Sequence, residues 1–231
     1  MKKKILVVAA HPDDEIIGCG GTIFKHAKNG DIINTVILGE GIQSRFEKNL
    51  INKNIKLQKE RLYKCSNTAN KIIGVKKVFF EKLSDNRLDS LDLLEVIKIL
   101  EKYINKFKPE IIYTHSNKDL NIDHRIVFEA VLTASRPKIL QTVKKILSFE
   151  IPSSTDWTFG TINSSFNPNY FVNIDKEIKQ KVRSLKIYKS EMYNYPNSRS
   201  IENCENISKV RGAAVGFKNA EAFELIRHLE I

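Results

Sequence analysis

Short apolar runs alternate with longer stretches of helical periodicity over the first two thirds of the chain, and this alternation strongly limits the folds it can adopt. The runs 5–10 and 32–38 are almost continuously apolar, as expected for strands buried on both faces of a sheet. Further strands are predicted at 78–80, 110–114 and 146–151, and helices at 13–29, 91–107, 123–135 and in a stretch ending at 73. This order predicts an α/β fold, with a mostly parallel sheet and helices on both faces.

The part of the chain after about residue 152 is less regular. A polar stretch over 153–169 precedes a predicted strand at 170–174 and predicted helices at 176–193 and 204–211. No linker-like composition separates this part from the rest. Since 231 residues fit one α/β domain, we predict a single domain over 1–231.

Composition narrows the functional classes. Three widely spaced cysteines match neither a zinc ribbon nor a disulfide framework, so we expect a reducing, cytoplasmic environment. The N-terminal apolar run is too short for a signal peptide, and no run reaches the roughly 18–20 residues of a membrane span. The formal net charge of +11 comes from lysines scattered among acidic residues. It indicates a solvated surface, and we expect no nucleic-acid partner.

The densest group of ionisable residues is His11-Pro-Asp13-Asp14-Glu15, directly after the first predicted strand. Crowded carboxylates repel one another and cost desolvation, so packing gains nothing from them. A bound dication removes that penalty, and imidazole nitrogen and carboxylate oxygen are both ligands of Zn²⁺. One of the two aspartates can bind the metal while the other stays free as a base.

A second group, Asp119 to His124, follows the fourth predicted strand. The carboxyl ends of parallel strands meet at one edge of a sheet, so His124 should come close to the first group. A His/Asp/His set leaves an open coordination position, as a catalytic zinc site requires. The sequence leaves open whether zinc or another divalent transition metal, such as Fe²⁺, is the working metal.

The motif Ala-His-Pro-Asp-Asp-Glu after the first strand, with Asp-His after the fourth, resembles the signature of the LmbE/PIG-L family of zinc-dependent N-acetyl sugar deacetylases. The resemblance implies a Rossmann-like sheet, zinc bound by His11, Asp14 and His124, and Asp13 as general base. It also favours Asp123 as a partner that orients an active-site group. The longer matches, 119–137, 149–155 and 216–223, resemble a bacterial branch associated with surface polysaccharides.

The sequence departs from the family pattern at Asn121, where many members carry a histidine that helps to stabilise the reacting carbonyl. Asn121 can donate a hydrogen bond but cannot shuttle a proton at neutral pH. The role is then electrostatic, or it passes to His115, for which packing at a strand end is an equal alternative. Arg45 is a candidate for substrate binding, with a solvated loop arginine as the competing interpretation.

The resulting prediction is a cytoplasmic metal-dependent hydrolase that removes the acetyl group from a small N-acetylated amino sugar or sugar conjugate, including a nucleotide-linked one, in surface glycan biosynthesis. Two alternatives stay open. One is a zinc amidase acting on an amino-sugar conjugate in thiol biosynthesis. The other is a non-catalytic binder of anionic ligands or nucleic acid with a structural metal, suggested by the charge of +11. The sequence leaves open whether the chain forms a homo-oligomer.

Overall fold

A seven-stranded sheet organises the residues that the computed structural model describes, which are 2–46, 53–137, 142–160 and 165–230. Its strands are β1 (Lys4–Ala9), β2 (Ile32–Gly39), β3 (Lys77–Leu83), β4 (Ile111–His115), β5 (Lys145–Phe149), β6 (Tyr170–Asn173) and β7 (Ala220–His228). The helices are α1 (Asp14–Lys28), α2 (Lys53–Ile72), α3 (Leu93–Phe107), α4 (Ile122–Ala134), α5 (Ile178–Leu185) and α6 (Ile201–Ala213).

The strand order is β3-β2-β1-β4-β5-β7-β6. Neighbouring strands from β1 to β5 pair in parallel, whereas β7 pairs antiparallel with both β5 and β6. The mostly parallel sheet is therefore confirmed. The two strands from the less regular part extend the same sheet, which supports our proposal of a single domain.

Helices cover both faces of the sheet, as predicted. On one face, α1, α2 and α5 bury Ile16, Leu62 and Leu185 in one apolar cluster. On the other, α3 and α4 bury Leu100 and Val131 in a second cluster. Burial of both faces explains why the central strands are continuously apolar in sequence. Among the described residues, no helix is long and apolar enough to cross a membrane.

Helix α1 packs unusually close to the sheet and bends in its middle. A Cβ atom on Gly18 would lie 2.3 Å from the ring of Phe149, so only glycine fits there. The bend is at Cys19, whose φ of −145° is not helical. After it, the carboxylate of Glu221 accepts hydrogen bonds from the backbone N–H groups of Gly21 and Thr22, which caps the second half of the helix.

Two predictions for the C-terminal part were wrong. Helix α5 ends at Leu185 rather than near 193, because Tyr188 turns inward and donates a hydrogen bond to the buried Glu15. Strand β7 was not predicted, because Glu221 and Glu224 interrupt its apolar pattern although both are buried. Glu221 is paired with Lys181, and Glu224 with Lys118. The predicted loop 153–169 includes 161–164, which lie outside the described residues.

Candidate active site

The carboxyl ends of β1 and β4 open onto a cavity of about 360 Å³, the edge where parallel sheets place their ligands. The loop after β1 supplies the floor of this cavity, and loops after β2, β3 and β4 supply further lining residues. Two loops of the C-terminal part, 150–160 and 186–200, complete it. The lining residues used below are His11, Asp13, Asp14, Arg45, Asp85, Asn121, His124, Trp157, Glu191, Tyr193 and Arg199.

The loop after β1 holds Asp13 in a strained backbone conformation. Its φ of 115° lies in the left-handed region, which residues with a side chain rarely adopt. The carboxylate of Glu15 accepts the N–H of Asp13 at 2.9 Å and so stabilises this conformation. Glu15 is itself held by hydrogen bonds from Tyr188 and Asn70. Strain of this kind is typical of functional sites, where the surrounding structure fixes one side chain.

Three side chains meet around one point on the floor of the cavity. His11, Asp14 and His124 are buried, and each offers one donor atom within 4.8 Å of the other two. Oδ2 of Asp14 lies 3.4 Å from Nδ1 of His11 and 3.3 Å from Nε2 of His124. The structure thus brings together the three predicted metal ligands, from the ends of two different strands.

The opposite nitrogen of each imidazole faces carboxylates. Nε2 of His11 lies 3.0 Å from Asp123 and 3.1 Å from Asp85, and Nδ1 of His124 lies 3.0 Å from Asp119. A carboxylate behind a histidine fixes its tautomer and ring orientation, as in carboxylate–histidine–zinc arrangements. Asp123 is fully buried and also accepts the N–H of Leu88, so it is placed to orient His11.

The charge state of this group fits a divalent metal. Burial alone would lower the pKa of both imidazoles, but the neighbouring carboxylates raise it to about 10 for His11 and about 9 for His124. Burial raises the pKa of Asp14, yet the histidines hold it well below its usual range. The metal-free group therefore binds two protons at neutral pH, and a dication would replace that positive charge.

A buried oxygen without a partner supports the same fit. Among the described residues, none donates a hydrogen bond to Oδ1 of Asp14, although this atom is inaccessible to solvent. An unpaired carboxylate oxygen in such a place is costly unless a cation binds it. With two imidazole nitrogens beside it, the donor set matches the preference of Zn²⁺ for nitrogen and oxygen ligands.

Asp13 lies beside this group and contacts Arg199. Nη2 of Arg199 donates to both carboxylate oxygens of Asp13 at 2.8 Å, and it lies 3.6 Å from Oδ1 of Asp14. Burial raises the pKa of Asp13 to about 8, and the guanidinium opposes that rise. Asp13 is therefore a carboxyl group whose protonation changes near neutral pH, which suits a general base.

The two remaining candidates on β4 and α4 have different surroundings. Asn121 lines the cavity, caps α4 by accepting the N–H of Asp123, and donates one hydrogen bond to Asn86. His115 is fully buried, and its Nε2 accepts the N–H of Ala10 at 2.8 Å. Its ring stacks on that of His124, with centroids 3.9 Å apart. His115 thus has no free nitrogen lone pair facing the cavity, and its geometry is that of a packing residue.

Arg45 reaches the cavity from the loop after β2, as expected for a substrate contact. Its guanidinium forms a two-point ion pair with Glu191, which comes from the loop after α5. Burial would lower the pKa of Arg45, but Glu191 raises it above its ordinary value. The positive charge is therefore already paired before a substrate binds.

Four residues of the site were not assigned from the sequence: Asp85, Asp119, Glu191 and Arg199. Asp119 stands five residues before His124, and that spacing was a usable signal. The other three come from loops with no local motif, and their ion pairs join residues far apart in sequence. Arg199, for example, is 186 residues from Asp13.

Comparisons with known proteins agree with this geometry. The family model described as PIG-L, GlcNAc-PI de-N-acetylase, matches residues 6–135. An uncharacterised deacetylase of Escherichia coli, YaiS, is 30% identical over 201 residues, which cover 82% of this chain and 92% of that protein. The diacetylchitobiose deacetylase of Thermococcus kodakarensis is 28% identical over 196 residues, covering 82% of this chain and 70% of that protein.

The same architecture occurs in a solved structure. The N,N′-diacetylchitobiose deacetylase of Pyrococcus horikoshii superposes with a TM-score of 0.75 at 22% identity, over 97% of this chain and 84% of that one. That likeness concerns the fold, whereas the sequence matches carry the relationship. The chain belongs to the PIG-L (LmbE-like) family of deacetylases.

Proposed function

We propose that this protein is a metal-dependent hydrolase that removes the acetyl group from an N-acetylated amino sugar or sugar conjugate. The observation that carries the proposal is the juxtaposition of His11, Asp14 and His124 with Asp13 at the floor of one cavity. Three ligands with an adjoining free carboxylate are what amide hydrolysis by a metal-activated water needs. Membership of a deacetylase family and the 28% identity to a diacetylchitobiose deacetylase support the substrate class.

We assign His11, Asp14 and His124 as the metal ligands, with zinc as the proposed metal. A divalent metal supplies Lewis acidity, which lowers the pKa of water and polarises an amide carbonyl. Asp123 and Asp119 orient the two imidazoles, so that one nitrogen of each faces the centre. These two aspartates are positioning residues, because neither lines the cavity.

Asp13 handles the proton in the proposed reaction. Its carboxylate accepts a proton from the attacking water as the C–O bond forms at the acetyl carbon. Asn121 has a second amide hydrogen besides the one given to Asn86, and it can donate this hydrogen to the developing oxyanion. Asp13 then returns its proton to the amide nitrogen as the C–N bond breaks, giving acetate and the free amine. His115 takes no part.

The biological setting is also a proposal. We place the reaction in surface glycan biosynthesis, a role supported by the sequence resemblance alone. The alternative of an anionic-ligand or nucleic-acid binder rests on the net charge of +11. Steeply salt-dependent DNA binding by a protein without amidase activity would favour that alternative.

Acetate release tests the proposal directly. The metal-loaded protein is incubated with N-acetylglucosamine, its β1,4-linked disaccharide and a nucleotide-linked N-acetyl sugar, and acetate is measured together with metal content. We expect acetate from at least one sugar, and loss of that activity after chelation. An amino-sugar conjugate of thiol biosynthesis is included, since cleavage of that compound alone would favour the alternative amidase.

A further inference from the structure

Two aromatic side chains stand at the cavity without being part of the core. Trp157 and Tyr193 line it, and their exposed fractions are 45% and 58%. Tryptophan is highly buried on average, so a half-exposed one beside a polar cavity needs an explanation. Exposed aromatic surface next to a cavity is typical of ligand-binding grooves.

The loops that carry these two side chains are bonded to each other and to the proposed base. The Ser153 N–H donates to Oγ of Ser198 at 2.9 Å, and that hydroxyl donates to Asp156, the neighbour of Trp157. Arg199 joins both loops to the reacting centre, because it donates to Ser153 at 3.2 Å and to Asp13 at 2.8 Å. The aromatic side chains are thus held in a fixed relation to Asp13.

The charges of the cavity argue against an anionic ligand in this place. Four carboxylates line it, and its two arginines are already paired: Arg45 with Glu191, and Arg199 with Asp13. No lysine of the described residues lines it, although the chain carries a net charge of +11. Recognition of phosphate needs unpaired cationic donors, and the described part of this cavity offers none.

We propose that Trp157 and Tyr193 form an outer subsite for a second, uncharged sugar ring linked to the one that loses its acetyl group. The inference rests on the proposed deacetylase function. A sugar ring has an apolar C–H face that packs on an aromatic face, and a rim of hydroxyl groups that stays hydrated. The substrate class is accordingly an uncharged N-acetylated oligosaccharide or glycoside, rather than a nucleotide diphosphate sugar.

Trp157 offers a direct readout, because it is the only tryptophan in the chain. Its emission is recorded in the zinc-loaded Asp13→Asn variant while N-acetylglucosamine, N,N′-diacetylchitobiose, UDP-N-acetylglucosamine or octyl N-acetylglucosaminide is added. We expect the disaccharide to change the emission at lower concentration than the other three ligands. No response to any of the four, or a stronger response to the nucleotide sugar or the octyl glycoside, overturns the proposal.

Activity gives the second arm. In Trp157→Ala, the ratio of kcat/KM for the disaccharide to that for the monosaccharide should fall about three- to tenfold, and Trp157→Phe should restore most of it. Phe159→Ala is the matched control, since Phe159 is 85% exposed on the same loop but does not line the cavity. An unchanged ratio in Trp157→Ala overturns the outer subsite.

The two proposals can fail separately. Acetate release with a silent Trp157 and an unchanged substrate ratio refutes the subsite and leaves the deacetylase intact. A disaccharide-specific emission change without acetate from any substrate supports the subsite as a sugar-binding surface and refutes the deacetylase.

Discussion

Nη2 of Arg199 lies 2.8 Å from each carboxylate oxygen of Asp13, so one guanidinium nitrogen is shared between both oxygens of the proposed base. The two residues come from opposite ends of the chain, and both are largely shielded from solvent. Burial favours the protonated form of Asp13, whereas the guanidinium favours the carboxylate. Arg199 therefore keeps available the form of Asp13 that accepts a proton.

Replacing Arg199 by methionine should move the acidic limb of the activity profile to higher pH. The pKa of Asp13 is already raised to about 8, and loss of an adjacent opposite charge raises a carboxyl pKa by about 1–3 units. The measurement is kcat/KM against pH, which reports ionisation in the free enzyme. Arg211→Met is the control, because Arg211 pairs with Glu150 away from the cavity. An identical acidic limb in both variants would contradict the proposed role of Arg199.

The adjacent aspartates should separate in a metal assay. Asp14→Ala removes a ligand, so we expect it to lose both bound metal and activity. Asp13→Asn keeps the size of the side chain and should retain metal, while its rate of acetate release falls by on the order of 10²–10⁴. His228→Ala, at the far end of β7, serves as a control that keeps both. Equal metal loss in the two aspartate variants would show that ligand and base are assigned the wrong way round.

Metal binding should release protons. At pH 7 the metal-free protein carries protons on His11 and His124, whose pKa values are raised to about 10 and about 9 by nearby carboxylates despite burial. A metal binds neutral imidazole, so each histidine must lose one proton, about two in all. Affinity should consequently rise with pH through neutrality. Calorimetric titration with Zn²⁺ in buffers of different ionisation enthalpy measures the number, and heats independent of the buffer would refute it.

The sequence was informative where local chemistry repeats along the chain. Buried strands produce continuous apolar runs, and the ends of β1 and β4 are marked by His11-Pro-Asp-Asp-Glu and by Asp119 to His124. Both groups could therefore be assigned to one edge of the sheet from the order of strands and helices alone. Strand β7 escaped because its buried glutamates find partners, such as Lys181, on other elements.

The rest of the site depends on contacts that leave no local pattern. Arg199 and Glu191 lie in a polar stretch whose composition resembles any solvated loop, and their partners are more than 140 residues away. Asp85 follows β3 as a single acidic residue, and its contact with His11 depends on the register of β1 beside β2 and β3. Only the assembled sheet brings these groups together.

Removing the Tyr188 hydroxyl should destabilise the protein more at high pH than at low pH. Burial raises the pKa of Glu15 from 4.5 to about 7, so the folded state binds more protons than the unfolded state between these values. The contribution of Glu15 to stability therefore falls as pH rises through that window. Tyr188 donates to its carboxylate at 2.7 Å, a hydrogen bond that matters most when Glu15 is ionised.

We expect Tyr188→Phe to cost about 1–3 kcal/mol at pH 8 and less at pH 5, measured by urea denaturation. Tyr195→Phe is the matched control, because Tyr195 is 57% exposed and its replacement should change little. A cost for Tyr188→Phe that is the same at both pH values would show that Glu15 does not titrate in this range.

Gly18→Ala should weaken both the fold and the metal site. The new methyl group would lie 2.3 Å from the ring of Phe149, which must then move. That ring packs edge-on against His115, with centroids 4.9 Å apart, and His115 stacks on His124. A shift of Phe149 therefore reaches a proposed metal ligand through one intervening ring.

The expected cost is about 1–3 kcal/mol from overpacking, which outweighs the gain of up to about 1 kcal/mol from helix propensity. Gly20→Ala, two residues along the same helix, is the matched control. Its methyl group would meet only a side-chain atom of Ile16, at 3.2 Å, so stability should be nearly unchanged. Denaturation midpoints and Zn²⁺ titrations of both variants make the comparison. If Gly18→Ala matched Gly20→Ala in both, the packing of Phe149 and His115 would have no influence on His124.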